Sequence, residues 1–185
     1  MADRRDSAGQ RQMRVDLEEL ALAFANGSPE LSYYLDRETG HVAMVSAETR
    51  QELEDVYGDL HGDADLDVAT VAAAIGQRVL PDWQRDALVE ADQVERGIGT
   101  RFVAVPGEET PAAYRDIAEF ITTVADARLQ ERLADAIDGR GAFGRFRRVL
   151  AADEGEGARW VAFRDARLRE RMVAWLAKEG IVPLP

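Results

Sequence analysis

Between Val15 and Asn26, the apolar positions Leu17, Leu20, Ala21 and Phe24 fall at i, i+3, i+4 and i+7. That spacing predicts a helix, and Asn26-Gly27-Ser28-Pro29 is a sequence that stops one. Two β-rich runs come next, Leu31–Asp36 and His41–Val45, joined by the short polar loop Arg37-Glu38-Thr39-Gly40. They predict a hairpin over about 31–45, with Leu31, Tyr33 and Leu35 on one face and Val42 as a cross-strand partner. Alternation puts Tyr34 opposite Tyr33, so one of the two should be partly exposed. Ser46 is placed to cap a helix running to about Tyr57, with Glu48 in its first turn.

From Glu52 to Asp67 there are seven acids and no Lys or Arg, with Gly58 and Gly62 loosening the chain, which reads as a solvated loop and an internal boundary. Val68–Val79 is read as a helix. Pro81 and Asp82 open another, with Trp83, Ala87, Ala91 and Val94 on one side and Gly97 and Gly99 ending it. Arg101–Val105 is short and β-rich and reads as a third strand beside the hairpin. Thr110-Pro111 starts a helix, since proline at the first helical position loses no needed hydrogen bond. The stripes Ile117, Phe120, Ile121, Val124 and Leu129, Leu133, Ile137 are out of phase, so a break is expected near Asp126. Phe143, Phe146 and Leu150 predict a further helix, ended by the acidic, Gly-rich Asp153–Gly157. A last one carries Trp160, Phe163, Leu168, Met172, Trp175 and Leu176 and stops at Gly180.

The predicted fold is therefore α+β, mainly helical, with a small antiparallel sheet from the hairpin and a strand at about 101–105. Residues 1–12 read as a disordered tail and 13–185 as a single domain, with a division into lobes 13–60 and 68–185 left open. The three tryptophans, Trp83, Trp160 and Trp175, lie on apolar helical faces and read as core.

One stretch stands apart. Asp138–Arg148 packs two phenylalanines, three glycines and four arginines around a single carboxylate. Gly139-x-Gly141-x-x-Gly144 has the spacing of a dinucleotide fingerprint, but that motif needs a strand before the glycines. Here a helical stripe precedes them, so the expectation is a helix–helix turn and no cofactor. Gly139 should end one helix in a left-handed conformation, and Phe143 and Phe146 should anchor the turn in the core. Arg140, Gly141, Arg145 and Arg148 then form a candidate anion-binding set at a helix start, where free N–H groups favour negative charge. The competing reading is pairing of these arginines with surface acids.

Composition narrows the chemistry. There is no cysteine, which removes disulfides, thiolate metal sites and a cysteine nucleophile. Glu38 and His41 have the spacing of a di-metal ligand pair, but they sit on a turn and occur once. Asp63-x-Asp65-x-Asp67 opens like a calcium loop, yet the position that needs glycine is Val68 and the one that needs glutamate is Ala74. No metal site is expected. There is no Gly-x-Ser-x-Gly, and no acid pair stands out among 35 carboxylates, so no catalytic residue is assigned. A formal net charge of −12 argues against broad nucleic-acid or membrane binding. No window is apolar enough for a membrane helix and the N-terminus lacks a signal-like apolar run, so a cytoplasmic address is expected.

The chain resembles a widespread bacterial family of uncharacterised proteins of unknown function. The resemblance rests on Tyr33-Tyr34-Leu35-Asp36 with Thr39-Gly40, on Leu80-Pro81-Asp82-Trp83-Gln84, and on Tyr114 with Phe120-Ile121. It continues through Gly139-Arg140-Gly141-Ala142-Phe143 with Arg145-Phe146, and ends with Trp160, Phe163-Arg164-Asp165 and Trp175-Leu176. It implies no activity and no catalytic residue. The leading functional expectation is a non-enzymatic binding or regulatory module for a protein or small anionic ligand. A hydrolase or transferase acting on a phosphorylated small molecule is the alternative, and a nucleic-acid accessory protein a weaker one.

Overall fold

The computed structural model describes residues 11–26, 28–60, 66–107 and 110–184. In chain order its elements are β1 (Arg11–Met13), α1 (Leu17–Ala25), β2 (Leu31–Asp36), β3 (Val42–Ser46), α2 (Ala47–Asp59) and α3 (Val68–Gln77). These are followed by α4 (Asp82–Gly97), β4 (Phe102–Ala104), α5 (Thr110–Thr122), α6 (Ala127–Ala136), α7 (Ala142–Leu150), α8 (Glu154–Lys178) and β5 (Ile181–Pro183). The protein is α+β and mainly helical, as the patterning predicts. It divides into two compact units: residues up to Gly107 together with Glu179–Pro185, and Glu108–Lys178.

The starts of α1, α2, α3 and α6 are set by short polar side chains. The Asp16 carboxylate accepts the Glu18 and Glu19 amides at 3.0 Å each, and Ser46 Oγ accepts the Thr49 amide at 2.9 Å. Asp67 accepts the Thr70 amide at 2.7 Å, while Asp126 takes those of Arg128 and Leu129 at 2.8 and 3.0 Å. Each satisfies an N–H that the helix itself cannot. The break expected near Asp126 is thus the cap of α6.

In the first unit, the three-stranded antiparallel sheet has the order β3-β2-β4. Leu35 stands opposite Val42, the partner expected from the pattern, and opposite Val103 on its other side. Tyr34 is buried and Tyr33 half-buried. Tyr34, Val45, Leu53, Val56, Val71, Ile75, Leu88, Val94 and Phe102 make a continuous core that joins sheet, α2, α3 and α4. The helices α2 and α3, on either side of the acidic stretch, belong to this same unit; residues 61–65 of that stretch, His61 included, lie outside the described residues. Arg11 and Gln12, read as part of a tail, instead pair in parallel with Ile181 and Val182. The strand pair β1–β5 closes between ends of the sequence too short to announce themselves; residues 1–10 are outside the described set.

Helices α5 to α8 form the second unit. Ile117, Phe120, Ile121, Val124, Leu129, Leu133, Phe146 and Leu150 are its buried cluster, with Trp160 and Phe163 packed against it. Several expectations are corrected here and in α4. Phe143 is 36% exposed, because the face of α7 that meets the core runs through Ala142, Phe146 and Leu150, spaced at i, i+4, i+8. Trp83 is 70% exposed: it occupies the first turn of α4, ahead of the packed stretch Leu88–Gly97. Trp160 and Trp175 are half-buried, since the fully buried stripe of α8 is narrow and consists of Met172 and Leu176. The acidic segment Asp153–Gly157 mostly opens α8, where Asp153 accepts the Glu156 amide at 3.0 Å and the acids suit the positive end of the helix.

Candidate functional site

The arginine-rich stretch is a helix–helix corner in the second unit. Between α6 and α7, Gly139 and Gly141 adopt φ of 72° and 75°, left-handed values that glycine takes without strain. Gly141 is the residue from which α7 starts. Arg145 reaches back over this loop. Its Nε donates to the Ala136 carbonyl at 3.1 Å, and its terminal nitrogens donate to the carbonyls of Arg140 and Asp138, with Gly139 at the edge of range at 3.5 Å. Carbonyls at a helix C-terminus lack partners within the helix and carry partial negative charge, so a planar cation with several donors satisfies several at once. Arg145 therefore holds the corner shut.

The other three arginines point to different places. Arg147 lines a cavity of about 300 Å³ together with Asp116, Phe143, Phe146, Trp160 and Arg164. Arg148 lies with Arg132, Asp135 and Arg145 around a more open cavity of about 370 Å³. Arg140 is exposed and lines neither, and it makes no ion pair with Asp138 or with any other described residue.

The first cavity has the more distinct chemistry. Its aromatic side is continuous with the core: Trp160 meets Phe146 edge-on at 5.1 Å and Phe120 at 5.2 Å, and lies over Phe163 at 6.2 Å with 24° between the rings. Arg164 is bonded on one side, through Nε and Nη2, to Asp165 Oδ1 at 3.2 and 3.0 Å. Arg147 is exposed, and its guanidinium makes no hydrogen bond or ion pair among the described residues. Asp116 is only 4% exposed, but Arg171 donates to its Oδ2 at 2.6 Å and Arg167 Nε lies 3.6 Å from Oδ1. Its charge is matched before any ligand arrives. Sequence reasoning singled out neither Asp116 nor Arg164 as site residues. The signal was available in two aromatic–arginine pairs at i, i+4, namely Phe143 with Arg147 and Trp160 with Arg164. What brings the pairs to one cavity is the packing of α7 on α8.

Polar clusters in the first unit are structural. Asp36, 2% exposed, accepts Arg101 through Nε at 3.1 Å and Nη2 at 2.6 Å, the Glu38 amide at 2.8 Å and Thr39 Oγ1 at 2.8 Å. Burial works to raise this carboxyl, but those bonds outweigh it and hold it down at about 2. Tyr57 donates to buried Asp92 at 2.8 Å, and burial followed by that bond pushes its hydroxyl up; Arg96 closes the triad at 2.8 Å. Glu38 and His41 flank the hairpin turn, where His41 Nε2 faces Glu90 at 2.9 Å and Glu38 lies near Arg101. Among the described residues, no group of three or more His, Asp or Glu is placed to share a metal ion, and no helix is long and apolar enough to cross a membrane.

The model of an uncharacterised protein family, UPF0158, matches residues 86–184, more than half of the sequence and all of the corner and cavity. The chain belongs to this family. The UPF0158 protein PA5073 of Pseudomonas aeruginosa is 25% identical over 173 residues, covering 94% of this chain and 88% of its relative. No solved structure matches. The family model covers residues 86–184 and the relative most of the chain, and neither description carries an activity.

Proposed function

We propose that this UPF0158 protein is a non-enzymatic binding module, and that its ligand is a small anion, or an anionic group on a protein, held at the cavity between α5, α7 and α8. The observation that carries the reading is Arg147: an exposed guanidinium with no described partner, lining an aromatic-sided cavity together with Arg164. Concave, mostly apolar sites with a few converging polar groups are where ligands bind. Arginine suits carboxylate and phosphate because its fork can meet two oxygens at once. Within the original anion-binding set, Arg140 and Arg148 are proposed as outer positions that raise local positive potential. Gly141 and Arg145 are proposed to act indirectly, by fixing the start of α7 from which Phe143 and Arg147 project. The acidic whole favours a compact ligand over a long polyanion.

The test is the double variant Arg147→Ala with Arg164→Ala, compared with the parent by calorimetric titration of phosphate, nucleotides and short RNA. Loss of anion binding with an unchanged melt is the expected result. Binding retained in the double variant would move the site elsewhere. Turnover of a phosphorylated probe by the parent would replace this reading with the enzymatic one.

A further inference from the structure

We infer that the cavity takes an aromatic anion of about mononucleotide size, with its ring against Phe143 and Trp160 and its negative group between Arg147 and Arg164. This rests on the anion-binding reading above and adds the aromatic requirement.

Four observations converge on it. Phe143 remains 36% exposed at the edge of the cavity although the same helix buries Phe146 and Leu150 almost completely. A large ring left in water beside an apolar cavity is a stacking surface, and arginine side chains flank it. The two aromatic–arginine pairs, Phe143 with Arg147 and Trp160 with Arg164, each offer a ring and a cation one helical turn apart. A ligand carrying a ring and an anionic group satisfies both halves of each pair. Asp116 lines the same cavity with its charge met by Arg171 and Arg167, so it does not repel an anion, while its oxygens can still accept an N–H from a heterocycle. Finally, a cavity of about 300 Å³ stands at the lower end of ligand sites, enough for one ring system and one anionic group but not for a dinucleotide.

The experiment uses the full chain carrying Trp83→Phe and Trp175→Phe, which leaves Trp160 as the single tryptophan reporter. Its fluorescence is titrated with AMP, UMP, phenyl phosphate and indole-3-carboxylate, and then with ribose 5-phosphate, inorganic phosphate and adenosine. At least one aromatic anion should quench Trp160 saturably. Ribose 5-phosphate and adenosine, each lacking one half, should bind more weakly by at least about fivefold, as the loss of one stacked ring or one charged contact implies. Phe143→Ala should weaken the aromatic anion by a similar factor at an unchanged melting temperature, because its ring is not part of the buried core. Equal binding of ribose 5-phosphate and AMP would overturn the aromatic requirement while leaving anion binding intact. If calorimetry detects no probe at all, both readings fall. A melt lowered by Phe143→Ala would show the ring to be structural and would also overturn the inference.

Discussion

The Asp36 carboxylate shows how much a single buried side chain can set the acid behaviour of this protein. Its ordinary value is 3.8 and its folded value is about 2. A carboxyl whose value is depressed on folding stabilises the folded state above the unfolded value, and that stability is lost as pH falls through the folded one. The shift corresponds to about 2 kcal/mol, present above roughly pH 4 and declining towards pH 2. Asp36→Asn should therefore lower stability at neutral pH and flatten the fall in stability between those limits, read by denaturant titration at several pH values. An unchanged slope would show that Arg101, Glu38 and Thr39 do not hold the ionised form. The variant also breaks the bidentate contact that ties the hairpin turn to Arg101, just ahead of β4, so its cost should be largest near neutral pH and shrink as the parent carboxylate is itself protonated.

At the scale of the element, the corner between α6 and α7 is a unit of three glycines and one arginine with separable roles. Gly139 and Gly141 have positive φ, so alanine at either adds roughly 1–2 kcal/mol of backbone strain. At Gly141 a new Cβ would also lie 3.4 Å from Arg145 Nη1. Gly144 is different: it sits inside α7 with helical backbone, and an added Cβ meets nothing within 4 Å. Alanine there should stabilise by roughly 0.5–1 kcal/mol, the usual helix gain over glycine. Arg145→Ala strips donors from the carbonyls of residues 136, 138 and 140, and about 1–3 kcal/mol should be lost. Lysine should not restore it, since one ammonium cannot span those carbonyls. Thermal melts of the four alanine variants and of Arg145→Lys give the order directly. A melt lowered by Gly144→Ala, or unmoved by Arg145→Ala, would refute this division of labour.

For the whole molecule, the seven residues after Lys178 matter more than their number suggests. They return to the first unit as β5, where Ile181 is 3% exposed and Glu179 pairs with Arg37. The Arg11 amide donates to the Gly180 carbonyl at 2.8 Å and the Leu184 amide to Met13 at 2.8 Å. Ending the chain at Lys178 should therefore expose the β1 backbone and cost roughly 2–5 kcal/mol, as removal of a buried aliphatic side chain does. Hydrogen exchange at Gln12–Val15 is the measurement. Exchange as slow as in the full chain would mean that β1 is held by other contacts.

Periodicity and capping chemistry were sufficient to read the helices, the hairpin with Val42 as a cross-strand partner, the break at Asp126 and the glycine turn, because each depends on neighbours in sequence. The strand pair β1–β5 was not readable: three residues at each end carry too little alternation, and their partners lie more than 160 positions apart. Nor was the fate of the aromatic side chains. A stripe at i, i+3 and one at i, i+4 are both helical, and only the approach of neighbouring helices decided that α7 buries Ala142 and leaves Phe143 at the cavity. The same holds for the arginines. Sequence established that four of them crowd one turn, but whether a guanidinium meets a carbonyl, a cavity or water depends on which direction each leaves a packed helix. Tertiary packing turned Arg145 inward onto the backbone and brought Arg147 and Arg164 to one cavity, a juxtaposition that no local pattern contains.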